Sequence, residues 1–206
     1  PLIKNIPNGV SINLSGAASE LERTWIAMKN NVMIALFVIF LLLTVLMRSF
    51  ILPFVIVVTV PIAGAGGVMG LVVLNQFTAQ SMDMLTMLGF IILTGIVVNN
   101  SILMVEQTLW HIRYESMKIS EAITEATRNR IRPIFMSTLT SLFGLIPLVI
   151  FPGSGSELYR GIGTVVFGGL STSAILTLLM VPPLLALALK FEKVKPITEN
   201  TQEEFI

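Results

Sequence analysis

Five apolar runs govern what this chain can fold into: Trp25 to Met47, Phe50 to Leu74, Met84 to Leu109, Pro133 to Phe151 and Leu158 to Leu189. About 20 apolar residues in a helix cross the hydrocarbon of a bilayer. Backbone N–H and C=O groups find no water there, so each run must satisfy its own by forming a helix. The expected fold is therefore an all-α integral membrane bundle of five transmembrane helices. Composition agrees: 54% of the 206 residues are hydrophobic and 12% are charged, against about 25% charged in soluble domains. With no Cys, one His and a net charge of +1, the chain offers no disulfide, no metal-ligand cluster and no nucleic-acid signature. No cofactor is expected.

The flanks read differently. In residues 1–16, Val10, Ile12 and Leu14 alternate as in a strand. A lone strand has nothing to pair with, so residues 1–20 are expected to end an extramembrane domain lying upstream. Between the third and fourth runs, Ile119, Ala122, Ile123 and Ala126 recur at helical spacing among charges. That pattern predicts an amphipathic helix over about 117–130 lying on the membrane face, with Ser120 as its cap and Glu121 in its first turn. The membrane region is expected over 21–190 and a tail over 191–206.

Lys and Arg set the orientation. Arg48, Arg113, Lys118, Arg128, Arg130, Arg132, Lys190, Lys193 and Lys195 fall on one side, and Lys4, Arg23, Lys29 and Arg160 on the other. The first side is expected to be cytoplasmic, with the C-terminus.

Small residues at helical spacing let helix backbones approach closely. Gly66 and Gly70 form such a pair in the second run, and Gly163, Gly168 and Gly169 mark the fifth. These five are expected to be helix-packing positions. Pro53, Pro61, Pro147 and Pro182–Pro183 need neighbours to satisfy the carbonyls they free, which also favours a packed bundle.

Asn99 and Asn100 break the third run. An amide in hydrocarbon without partners costs several kcal/mol. At 100° per residue, Gly95, Asn99 and Glu106 share one stripe, Gly89, Asn100 and Gln107 an adjacent one, and Thr94, Ser101 and Thr108 a third, roughly opposite. One wedge is wholly large and aliphatic: Ile91, Val98, Ile102, Val105 and Leu109. It is expected to meet lipid or apolar protein, with the other faces covered, so that this helix is central. Two readings of the amides stay open, interhelical glue and a hydrated polar track. The fourth run opens with Ser137, Thr138, Thr140 and Ser141. Either their hydroxyls bond their own helix, or they face Asn99 and Asn100 at similar depth. A hydrolase is disfavoured, because Ser154 and Ser156 lie in a loop without a nearby His.

Several motifs in order then resemble the resistance-nodulation-division efflux pumps: GIVVNNSILMVE from Gly95, RNRIRPIFMSTLTSLFGLIPLVI from Arg128, and GIGTVVFGGLSTSAILTLLMVPPLLAL from Gly161. MRSFILPFVIVVTVPIAGAGGVMG from Met47 is similar to the preceding part of those pumps. NGVSINLSG resembles the segment by which their periplasmic porter domain re-enters the membrane. The resemblance implies the last five of twelve spans of a proton-driven exporter of drugs or other amphiphiles in a bacterial inner membrane. It implies a homotrimer, with a periplasmic adaptor and an outer-membrane channel as possible partners. The proton site of such pumps is an aspartate pair in the first half, which this chain lacks. The answering positions here are Asn99, where drug pumps often carry lysine, then Asn100, Ser137 with Thr138 adjacent, and Arg130. Asn can exchange hydrogen bonds but not charge, so it leaves the two carboxylates competing for a proton. The heavy-metal branch tends to carry a glutamate in this region, so Asn–Asn argues against a metal-ion exporter. Other readings are a non-transporting split or remnant subunit, and a lipid or protein exporter of the same superfamily.

Overall fold

The computed structural model describes residues 17–80, 82–151, 153 and 156–191. The expected N-terminal strand, Ser154 and the tail beyond 191 lie outside the described residues, whereas Ser156, expected in a loop, is the first residue of the fifth helix. Five helices follow in order: α1 (Ala17–Met47), α2 (Ile51–Asn75), α3 (Met84–Tyr114), α4 (Ile119–Ile150) and α5 (Ser156–Phe191). Each is long and apolar enough to cross a membrane, and no strand occurs among the described residues.

The helix starts follow local chemistry. Ser49 Oγ accepts the N–H groups of Ile51 and Leu52, tying the sharp α1–α2 joint. Asp83 caps α3, its carboxylate accepting Thr86 N–H at 2.7 Å. This meets a first-turn donor that the helix cannot satisfy itself.

Two expectations change here. The amphipathic helix over about 117–130 and the span over 133–151 are one continuous helix, α4, with Pro133 inside it. Proline is tolerated within a membrane helix when its freed carbonyl finds another partner. Ser120 is not the cap. Lys118 holds that place, and the Ser120 carbonyl accepts the Thr124 hydroxyl within the first turns. Ala122, Ile123 and Ala126 are buried. Ala122 and Ile123 pack into an apolar cluster with Met47, Leu52, Leu109, Ile112 and Leu189, so part of the amphipathic face rests on protein rather than on lipid. The cluster gathers the end of the bundle that carries Arg48, Arg113 and Lys190, called the basic end below. A second cluster, around Ala63, Leu93, Val97, Val165 and Leu170, fills the other half.

As expected, α3 is central, touching all four other helices, and it shares the middle of the bundle with α5, which packs on α2, α3 and α4. The glycines of α5 explain how. A Cβ on Gly168 would lie 2.7 Å from the Gly66 carbonyl oxygen and 2.9 Å from Gly70 Cα. Gly66, Gly70 and Gly168 thus form the α2–α5 crossing. Gly169 lies against Leu93 of α3, and Gly163 against Leu148 and Val149 of α4. Gly161 carries Thr86 of α3 against its backbone. α1 stands at the edge, touching α2 and α3.

Candidate functional site

The stripes of α3 divide into a locked side and an open side. Ser101 and Thr108 are fully buried. Thr108 donates to the Met104 carbonyl at 3.0 Å and the half-buried Thr94 to the Phe90 carbonyl at 2.8 Å, so both bond within their own helix. Ser101 is different. Its Oγ lies 3.1 Å from Thr59 Oγ1 of α2, and the Thr59 hydroxyl donates to the Ile56 carbonyl at 2.6 Å. With that proton committed, Ser101 is the donor to Thr59. Among the described residues this is the one side-chain hydrogen bond between two helices, and it fixes the rotation of α3 against α2.

The aliphatic wedge also turns inward. Val98, Val105 and Leu109 are buried, and Ile102 packs against the same cluster. The wedge therefore meets protein. The uncovered face is instead the polar stripe. Asn99, Gly95 and Glu106 are exposed and Asn100 is half-buried. A Cβ on Gly95 would meet nothing within 4 Å. Neither amide has a hydrogen-bond partner among the described residues. Toward the basic end the open stripe runs into a groove between α1 and α3, lined by Leu46, Met47, Ile102, Glu106, Arg113 and Tyr114 among others.

On α4, Ser137 is exposed and donates to the Ile134 carbonyl at 3.1 Å, whereas Thr138 is buried. Thr140 likewise bonds its own helix, through the Met136 carbonyl. Arg130 is half-buried, and its Nε is enclosed without a hydrogen-bond partner. α3 and α4 pack against one another, yet no hydrogen bond joins Asn99 or Asn100 to Ser137 or Thr138. The structure thus puts the amides and the hydroxyls on neighbouring helices without connecting them.

Thr59 was not singled out by sequence reasoning. Its one signal is a hydroxyl standing alone in an apolar run, two residues before Pro61. Arg160 counts toward the outer side by its charge and falls at the start of the fifth apolar run. It is buried in α5, and its Nε has no hydrogen-bond partner.

The comparisons with known proteins are consistent with one another. The chain matches the AcrB/AcrD/AcrF family over residues 2–188. It is 32% identical to the swarming motility protein SwrC of Bacillus subtilis (strain 168), over 94% of this chain and 18% of that protein. It is 34% identical to the multidrug resistance protein MdtC of Erwinia amylovora, over 86% of this chain and 17% of that protein. Among solved structures, a heavy metal efflux pump superposes with a TM-score of 0.74 at 28% identity, covering 91% of this chain and 18% of that one. The chain therefore spans under a fifth of the length of these relatives.

Proposed function

Because this chain belongs to the AcrB/AcrD/AcrF family, we propose that it is the C-terminal membrane portion of a proton-driven exporter of amphiphilic small molecules. The observation that carries this reading is the asymmetry of α3. One side is locked by the aliphatic wedge and by Ser101 on Thr59. The other presents Asn99 and Asn100 with no partner in this chain. In the complete transporter the open stripe meets the aspartate pair of the other half.

There the Asn99 and Asn100 amides donate hydrogen bonds to a carboxylate, and protonation of that carboxylate weakens its hold on them. This difference tilts one half against the other. Ser137 and Thr138 on α4 extend the network, with Arg130 at its basic end. The Ser137 hydroxyl must leave the Ile134 carbonyl to join, which costs little because the carbonyl keeps its helical bond. The basic end is cytoplasmic by its Lys and Arg, and the membrane is a bacterial inner membrane. A homotrimer, with a periplasmic adaptor and an outer-membrane channel, completes the assembly.

Two cargo classes appear in the relatives' names, drugs and heavy metals. The amphiphile reading is favoured by Asn99–Asn100, which stands where the metal branch tends to carry a glutamate.

The test uses the complete transporter in proteoliposomes, with proton uptake and dye export read together. A hydrogen bond to a charged group contributes about 1.5–3 kcal/mol, roughly ten- to a hundredfold in an equilibrium. Asn99→Ala is expected to slow coupled proton uptake by about that factor, and Ser137→Ala by less. If both variants export dye and take up protons at the parental rate, the relay reading fails.

A further inference from the structure

Glu106 is the one carboxylate within the five apolar runs. An ionisable side chain inside a membrane span is costly unless it faces water or a partner. Glu106 stands seven residues beyond Asn99, within about 20° of the same stripe and about 10.5 Å nearer the basic end. It is exposed and lines the groove of about 270 Å³ between the end of α1 and the last turns of α3. The groove is wide enough for water. Its wall on α1, Leu46 and Met47, brings no titratable group, and α3 brings Arg113 and Tyr114. Arg113 lies two turns below Glu106, yet the two are not paired. The one ion pair among the described residues is His111 with Glu115, at 2.6 Å. The carboxylate thus shares a water-sized groove with a guanidinium that does not clamp it.

We propose that Glu106 is a proton-carrying residue on the basic-end limb of the pathway whose deeper part is Asn99 and Asn100. The inference rests on the relay reading above and adds a residue to it. A proton released from the aspartate pair of the other half passes through water in the groove to a Glu106 carboxylate oxygen, giving the neutral acid. Glu106 then releases it to water beside Arg113, and the carboxylate is restored. No bond other than O–H changes.

The experiment compares E106Q, E106D and N99A in the complete transporter, reconstituted in proteoliposomes. Ethidium export and proton movement reported by pyranine are read together, with ethidium binding and the melting midpoint as controls. Positioned proton-transfer groups contribute on the order of a hundredfold. E106Q is therefore expected to slow proton movement and export by at least roughly tenfold, with ethidium binding and melting unchanged. E106D, which keeps the carboxylate, restores most of the rate. The inference is overturned if E106Q moves protons at the parental rate while N99A does not, and the relay reading then stands. Parental rates in both variants overturn the relay reading as well. If E106D is as slow as E106Q and both melt early, the side chain serves packing and the proton-carrying role is wrong.

Discussion

Gly168 and Gly95 look alike in the sequence, each a glycine in an apolar run, and the structure gives them opposite surroundings. A Cβ on Gly168 would run into the backbone of Gly66 and Gly70, whereas one on Gly95 would meet nothing within 4 Å. The first glycine lets α5 cross α2 at backbone contact. The second lies beside Asn99 on a face that this chain leaves open. The bundle is thus closed between α2 and α5 by backbone contact and left unfinished along the polar stripe of α3. A side chain added at the closed crossing should damage this chain itself. One added on the open face should matter only when the rest of the transporter is present.

The largest effect is expected at the closed crossing. Gly168→Ala forces backbone apart, because neither Gly66 nor Gly70 has a side chain that can yield. Overpacking of this kind costs about 1–3 kcal/mol, and Gly168→Leu should prevent folded protein from accumulating. A thermal melt in detergent reads both variants. A Gly168→Ala protein that melts with the parent would break the comparison at its stronger end.

The rotational lock comes next. Ser101→Ala removes the donor to Thr59 but leaves the Thr59 hydroxyl on Ile56. Interhelical hydrogen bonds in membranes average about 0.6 kcal/mol, so a loss near that size is expected in the same melt. Thr59→Val should cost as much and should add nothing to Ser101→Ala in the double variant. Additive losses would mean that the two hydroxyls are not partners.

The smallest change in this chain is expected at Gly95. Alanine is favoured over glycine in a helix by about 1 kcal/mol, so Gly95→Ala should leave the isolated bundle as stable or slightly more so. In the complete transporter the added methyl stands where the other half docks, and coupled transport should fall with little change in the melt. Equal behaviour of Gly95→Ala and Gly168→Ala would erase the distinction.

Much of this was legible in the sequence and some was not, for physical reasons. The five spans are set by the length of apolar segment a bilayer requires, and each apolar run lies in its own helix, with α4 starting well before its run. The stripes of α3 are also legible, because 100° per residue places Asn99 opposite Ser101. Which stripe is open is not, since that depends on where α2 and α5 lie. The wedge of Val98, Val105 and Leu109 suits lipid and protein equally, and only tertiary contact shows that it meets protein. Pro133 reads equally well as a helix start or a helix interior, so the continuity of α4 was hidden. The glycines of α5 announced close approach but not their partners. Ser137 illustrates the remaining limit: its hydroxyl bonds Ile134 in this chain, and any relay role depends on groups that the chain does not contain.

The chain has no cysteine, which makes the central claim directly measurable by single-cysteine labelling of the complete transporter. Asn99→Cys on the open stripe is compared with Val45→Cys on α1, where the side chain is 79% exposed. A small water-soluble methanethiosulfonate and a maleimide dissolved in the lipid are the two reagents. The account predicts that Asn99→Cys reacts with the methanethiosulfonate and is shielded from the maleimide, because the stripe is hydrated and covered by the other half, and that Val45→Cys shows the reverse. If Asn99→Cys instead reacts with the lipid-borne maleimide as readily as Val45→Cys, the polar stripe of α3 faces lipid and the account is contradicted.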